Sequence, residues 1–580
     1  MGTSTVDEIV AAHRRLGRWS AARGDATAAA WHRACGADAR NGDAAAELLR
    51  AAARSRHGEE SERSLQFAAV AAKHSTGQLR EQAVLTAGVS ALGAGYAAEA
   101  AAWLSELVRN GSEDAALLGV AALLAAETHL RGAVPAVEPG ALRPKSGDPG
   151  DWYAFARAAA FGAGLCAERG DRAGARAWLH DLRLASSKVG ADRELRDPVV
   201  SLTWLLLGEG EPDDAAGSGP LTGAVYGALR AAARGDVEVG LRILAAGDYQ
   251  GAEQRDPWIA GFERSPLVEA YRTVAEALLL TWRGDVHAAR ERLIAVALEL
   301  PIAVPFAGLG VVLARRLDLA VLGRLSPFAL SVTAALPSPA RVDQLVDRAL
   351  QAHLAGRADE AATFLRLWVD RGSPEGMLAV PGLDEVLPIG VDVDGVRRRG
   401  LEPPDMALAR LLRVRASTTP QDVWAPEIEH LEEAARGIRS PFERARVSAA
   451  FGLRAVIHHD ARGGRRHLSA ALALFEEAGA LAWAGQVAER LRILDQEAER
   501  GDELGDAVAA IRRRWEPILT RRELELAMAV VAGASNREIA STFTVSVRTV
   551  EVHLGRIFSK LGVRTRVELM LLALRSARHG

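Results

Sequence analysis

At 580 residues the chain is several domains long, and 49% hydrophobic with 25% charged residues is a globular rather than a disordered composition. Only four lysines occur (Lys73, Lys145, Lys188 and Lys560) against 67 arginines, and none follows a glycine, so the phosphate-binding loop G-x-x-x-x-G-K-[ST] is excluded. The net charge of −3 hides two unlike parts: residues 512–580 hold thirteen Lys and Arg against six Glu and no Asp, a net +7, which leaves −10 for the rest. A basic end on an acidic body points to a polyanion as that end's partner.

The first thirty residues carry Asp7, Glu8 and several arginines where a signal peptide needs an apolar core. The best apolar run, 301–313, is too short for a bilayer and runs into Arg315 and Arg316. No membrane partner and a cytoplasmic location are therefore expected. Cys35 and Cys166 are too few for a disulfide framework or a closed zinc site, and two buried thiols in a reducing compartment are expected.

Before residue 510 the pattern is helical: alanine and leucine dominate and β-branched alternation is scarce. Stretches 79–92, 97–108, 154–168 and 273–282 space apolar residues by three and four. Proline- and glycine-rich breaks fall at 132–151, 208–223, 247–257, 372–405 and 416–426. A phrase recurs at the short turns, a glycine with a small residue five positions later. It reads Gly24-Asp25…Ala29, Gly95-Tyr96…Ala100, Gly170-Asp171…Ala175, Gly235-Asp236…Gly240, Gly284-Asp285…Ala289 and Gly356-Arg357…Ala361. Glycine ends one helix, aspartate caps the next, and the small residue lets the pair approach. The phrase resembles the turn and second helix of tetratricopeptide repeats, which implies stacked helical hairpins with a concave interaction face. The division expected is repeats over 1–370, an irregular connection with short helices over 371–426, further repeats over 427–500, a linker over 501–514 and a separate domain over 515–580.

Other candidate sites in the body read as structure. His458-His459-Asp460 with His467 lacks a helical H-x-x-x-H pair and reads as a surface turn rather than a metal site. Gly217-Ser218-Gly219…Gly223 misses the dinucleotide spacing and reads as a linker. Trp31, Trp103, Trp178 and Trp282 fall on repeat helices as packing. No metal, cofactor or catalytic residue is nominated, and no enzyme is expected.

The last 65 residues differ. Thr520-Arg521-Arg522-Glu523, Ser535-Asn536-Arg537-Glu538 and Thr565-Arg566-Val567-Glu568 are three helix-start boxes in succession, and Ser546 supplies a fourth cap. Four short helices are expected. The first buries Leu524, Ala527, Met528 and Val531, and Gly533 ends it; the second, 536–542, contributes Ile539 and Ala540. After the turn Phe543-Thr544-Val545, the third turns Val550, Leu554, Ile557, Phe558 and Leu561 inward. A short helix, a tight turn and a longer helix form the helix-turn-helix unit, whose second helix enters the major groove of duplex DNA. Arg548, Thr549, Glu551, Val552, His553, Gly555, Arg556 and Lys560 fall on its outer face, and Arg537 opens the preceding helix.

The run Leu519-Thr520…Arg522-Glu523…Ser535-Asn536-Arg537-Glu538-Ile539-Ala540…Val545-Ser546…Arg548-Thr549-Val550-Glu551…His553-Leu554…Lys560-Leu561-Gly562-Val563 resembles the LuxR-type (FixJ or NarL type) DNA-binding domain. That resemblance implies base contacts near Glu551, Val552 and Gly555, with Arg548, Thr549, His553 and Lys560 nearer the phosphates. Region 4 of sigma factors uses a similar unit, but the promoter-melting domains that accompany it are not evident here. On the last helix Leu569 and Leu572 form a stripe apart from Val567, Met570, Leu571 and Leu574, and Leu569 and Leu572 are the expected homodimer contact.

Upstream, Pro441-Phe442-Glu443-Arg444-Ala445-Arg446 and Ala471-Leu472-Ala473-Leu474-Phe475-Glu476-Glu477-Ala478-Gly479-Ala480…Trp483-Ala484 resemble the segment before the DNA-binding domain in large LuxR-family regulators, whose ATPase module the lysine pattern lacks. The whole reads as all-α: a helical-repeat body meeting a protein or small molecule, and a C-terminal domain binding duplex DNA as a homodimer. The alternative is a helical-repeat scaffold or co-regulator acting through protein contacts.

Overall fold

The computed structural model describes the chain apart from residues 1–5, 38, 58–59, 132–134, 136, 169–170, 191–197, 208–219, 247–266, 299–308, 336–343, 371–400 and 579–580. Gly170, the Gly217–Gly219 run, much of the 301–313 stretch and most of the Pro/Gly-rich breaks lie outside the described residues. Within them the architecture is all-α, as expected. The chain divides into two compact units, Met1–Val487 and Ala488–Gly580.

In the first unit short turns join successive helices, so neighbours run antiparallel and pack along their length. Gly42–His57, Ser61–His74, Gly77–Gly93, Ala97–Asn110 and Glu113–Arg131 illustrate the pattern. Each packs on the next, and Gly42–His57 also touches Gly77–Gly93, which touches Glu113–Arg131. Contact with the next-but-one helix is the mark of hairpins stacked in sequence.

The recurring phrase works largely as its chemistry requires, although Asp285 makes no side-chain cap bond and pairs with Arg283 instead. Gly24, Gly95, Gly235, Gly284 and Gly356 have φ of 76°, 83°, 96°, 100° and 75°, the left-handed region that ends a helix cheaply only for glycine. Asp25 Oδ1 accepts from the Ala28 amide at 2.9 Å, and Asp171 Oδ1 from that of Gly174 at the same distance. Five residues after each glycine the small residue is buried: Ala29, Ala100, Ala289, Ala361 and Gly240. At Gly240 a Cβ would meet the Ala228 carbonyl oxygen and the Leu279 side chain at 2.7 Å, so only glycine fits there.

The turn His458-His459-Asp460, expected as a surface turn, is another copy of this device. His459 takes the glycine's place with φ 62°, Asp460 Oδ1 accepts from the Gly463 amide at 2.8 Å, and buried Gly464 is the small residue. His467 packs its ring on Phe451 and pairs with Glu432 at 3.1 Å. Gly479, φ 69°, with Ala484 is a further copy that sequence reading passed over.

Two expected divisions differ from the structure. The helices Pro404–Thr418, Gln421–Arg436 and Pro441–Ile457 follow one another directly, so a boundary at 426/427 would cut a helix. Pro426 lies inside that helix near its start, where a missing amide costs one bond, and the buried Trp424 anchors the first turn. The linker expected at 501–514 is part of a single helix, Leu481–Trp515, whose alanine, glutamate and arginine content outweighs Gly501 and Gly505.

The segment 404–487 is built on buried charge and aromatic packing. Glu443 accepts from Arg413 at 2.9 Å and Arg446 at 2.8 Å, and Arg446 lies over the rings of Phe442 and Trp483. Phe442, Phe475 and Trp483 meet with centroids 5.5–5.8 Å apart. The Val286 amide donates to the Ala478 carbonyl at 3.1 Å, and Gln486 Nε2 to the His353 carbonyl at 2.7 Å, so this segment packs back on the earlier hairpins.

Among the described residues no helix is long and apolar enough to cross a membrane. Cys166 is buried, which pushes its thiol up to about 12; Cys35 is half-buried rather than buried.

Candidate nucleic-acid interface

The second unit has its own core. Ile511, Trp515, Leu519, Leu524, Leu526, Ala527, Met528, Val530, Ile539, Ala540, Val550, Leu554, Ile557, Leu569 and Ala573 are buried together. The domain therefore begins before residue 515: Ile511 and Trp515, four apart, dock the end of the long helix into it. That i, i+4 pair was the available signal, at the end of the stretch expected to be a linker.

The four later helices are Arg521–Val531, Asn536–Thr542, Val547–Leu561 and Arg566–Arg578. Thr520 and Ser535 each form a complete capping box with Glu523 and Glu538. Ser546 Oγ accepts from the Thr549 amide at 3.1 Å. The third box departs from expectation: Thr565 Oγ1 accepts from the Glu568 amide at 3.1 Å, but the Glu568 carboxylate takes the Arg564 amide at 2.7 Å. Of the apolar residues expected inside the first of these helices, Leu524, Ala527 and Met528 are buried and Val531 is half-buried; Leu526 and Val530 are buried as well, because the helix is covered on two sides.

The turn between Asn536–Thr542 and Val547–Leu561 is tight. Thr544 has φ 51°, and the Val545 amide reaches back to the Ala540 carbonyl at 3.0 Å. Arg522 braces it, stacking on Phe543 at 4.5 Å and donating to the Phe543 carbonyl at 3.1 Å. Arg566 donates to Asn536 Oδ1 at 3.5 Å and to the Ala534 carbonyl, tying the last helix to the start of Asn536–Thr542.

With Val550, Leu554 and Ile557 inside, Val547–Leu561 turns the other face to solvent. Arg548, Glu551, Val552, Gly555 and Arg556 are exposed on it, while Thr549 and His553 are half-buried at its margin. Around Gly555 a Cβ would meet nothing within 4 Å. Arg537 is exposed in the first turn of the preceding helix. Arg512, Arg513 and Arg514 are exposed at the end of the long helix, outside the expected set. A helix surface of two arginines, one acceptor, one methyl-bearing side chain and a gap can meet phosphates and base edges together.

Two assignments are corrected. Lys560 is not a free cation for phosphate: its ammonium donates to Glu523 Oε2 at 2.6 Å, drawn by a carboxylate that also caps Arg521–Val531. Leu569 is fully buried in the core of its own domain and so presents no dimer contact, while Leu572 is half-buried against that core. The faces of the last helix are the reverse of expectation: Val567, Met570, Leu571 and Leu574 are the exposed apolar side chains.

Residues 517–573 match the family described as bacterial regulatory proteins, luxR family. The chain is 46% identical over 61 residues to the transcriptional regulatory protein TdiR of Thauera aromatica, and 45% identical over 58 residues to the oxygen regulatory protein NreC of Staphylococcus aureus. Each similarity covers 10% of this chain and 27% of the relative, so the chain spans about a quarter of the length of the curated relatives it matches. No solved structure matches.

Proposed function

We propose that the chain is a DNA-binding transcriptional regulator in which Val547–Leu561 is the recognition helix. The observation that carries this reading is the exposed face of Arg548, Glu551, Val552, Gly555 and Arg556 on a helix locked by caps at both ends, within a segment of luxR-family sequence. Arg548, with Arg537 on the preceding helix, contacts phosphate; Thr549 and His553 support them from the margin of the groove. Glu551 accepts from a cytosine amino group, Val552 meets a thymine methyl, and Gly555 leaves room for the base edge. Arg556 reads a base or a phosphate.

The protein acts as a homodimer on two half-sites, with Val567, Met570, Leu571 and Leu574 of the last helix as the contact. The first unit is a tetratricopeptide-like body that meets a partner protein or ligand. We assign it a cytoplasmic place, no catalysis and no cofactor. Substitution tests the assignments: Val552→Ala should weaken binding to a selected site more than to random duplex, by about 1–3 kcal/mol of discrimination. Arg548→Ala should weaken both alike and flatten the salt dependence. Equal loss on both duplexes for Val552→Ala would remove it from base recognition.

A further inference from the structure

The helix Val6–Ala22 packs on Ala26–Cys35 through buried Gly17 and Ser20. Polar ties across the pair include Arg14 Nε, which donates to the Gly36 carbonyl at 2.9 Å, and His13 Nδ1, which meets His32 Nδ1 at the same distance. Both imidazoles are half-buried, with ring centroids 5.1 Å apart and planes at 44°. The guanidinium keeps its charge over the whole ordinary pH range, whereas imidazole is the side chain that changes charge within it.

Two ring nitrogens at this distance hold one proton between them: one ring donates through Nδ1–H and the other accepts through a bare Nδ1. A first added proton finds a place on Nε2 of the donating ring and strengthens the bond by charging it. A second must go to the accepting Nδ1, where it sets two N–H groups head to head between two imidazolium rings. The docked pair therefore takes one proton readily where two separated imidazoles take two.

The surroundings disfavour the second charge as well. No residue one helical turn from either histidine is a carboxylate. Arg14 on the same helix, Arg33 packed against Gly17, and Lys73 of Ser61–His74 beside Cys35 bring positive charge towards the pair. Burial pushes the Cys35 thiol up, so it stays neutral. On Gly42–His57 the Glu47 carboxylate is taken by Arg50 and Arg54. Burial, and next the neighbouring His13, lower the His32 imidazole below its ordinary 6.5.

We propose that His13 and His32 form an acid-sensitive latch, which holds Val6–Ala22 on the hairpin body and loosens as the surroundings acidify. Above pH 6.5 the rings are neutral and the bond is whole; as the pH falls below that value the undocked helix binds the additional proton, and opening is favoured.

Hydrogen exchange of the full chain, read by mass spectrometry at pH 7.5 and 5.5 and corrected for the intrinsic exchange rate, tests it. The opening equilibrium of Val6–Ala22 should rise about 5- to 10-fold at pH 5.5, the effect of at most one additional proton. Ala97–Asn110, which carries no histidine, should keep its protection. His32→Gln offers an acceptor that a protonated His13 can use, so acid should no longer open the helix, and His13→Gln should behave likewise. Arg14→Gln removes the tie that does not titrate: opening should rise at both pH values with the acid effect retained. Equal protection of Val6–Ala22 at the two pH values in the unaltered chain overturns the proposal. So does an acid effect that survives in both histidine variants, or a loosening of Ala97–Asn110 to the same extent.

Discussion

Glu523 Oε2 accepts from the Thr520 amide and hydroxyl, each at 2.9 Å, and from Lys560 Nζ at 2.6 Å. One carboxylate thus caps a helix and holds the far end of Val547–Leu561. The Lys560 ammonium, and next the Thr520 amide, hold its carboxyl down at about 2 instead of the ordinary 4.5. A depressed folded value contributes stability that is complete above pH 4.5 and is lost as the pH falls towards 2. Glu523→Gln should therefore destabilise residues 488–580 most above that pH, and the gap from the wild type should close towards pH 2 in urea unfolding. A gap independent of pH would deny the carboxylate this role. Thr544 offers the opposite case. A β-branched residue at φ 51° is strained, so Thr544→Gly should stabilise the domain by about 0.5–1 kcal/mol in the same assay, despite glycine's larger unfolded-state entropy. The capping role of Glu523 was legible from Thr-x-x-Glu, but its pairing with Lys560, 37 positions away, was not, because periodicity carries no information about long-range pairs.

At the scale of helices, two glycines separate propensity from packing. Gly162 lies in Pro149–Glu168, and a Cβ there would meet the buried Trp178 ring at 2.7 Å. Alanine gains about 1 kcal/mol of helix propensity but overpacking costs about 1–3 kcal/mol, and the fixed indole makes the second effect win. Gly162→Ala should therefore lower the unfolding midpoint of the full chain. Gly555 has nothing within 4 Å, so Gly555→Ala should keep the propensity gain of up to about 1 kcal/mol yet weaken DNA binding, as anisotropy would report. A stabilised domain with unchanged affinity would take Gly555 off the base-facing surface. The helix starts of the second unit were readable because a cap needs only neighbours in sequence. The orientation of Arg566–Arg578 was not: leucines or other apolar residues occur at 567, 569, 570, 571, 572 and 574, and only contact with the core selects Leu569 and Ala573. The turns of the body were legible at Gly24 and Gly284; His458-His459-Asp460 read as a turn, but not as a copy of the glycine device, because a residue other than glycine adopts the left-handed conformation there.

Over the whole molecule the basic stretch 512–580 lies inside the compact unit Ala488–Gly580, whose opening residues 488–511 are acidic, with seven Asp and Glu against three Arg. The first unit is made of packed hairpins with buried ion pairs, and the net +7 belongs to residues 512–580. The scarcity of lysine excluded a phosphate loop at once, and the two-part reading followed from charge and helix periodicity. The start of the second unit inside a 35-residue helix did not, since Gly501 and Gly505 imitate a linker when packing is unknown. The most direct measurement is the affinity of residues 488–580 for duplex DNA selected from a random pool, followed by anisotropy from about 50 to 200 mM salt. The expected result is enrichment of a defined site, with the logarithm of the affinity falling linearly in the logarithm of salt concentration as phosphate contacts release counterions. Absence of binding at the lowest salt, or binding that enriches no sequence and ignores substitution of Val552, would contradict a recognition helix at Val547–Leu561.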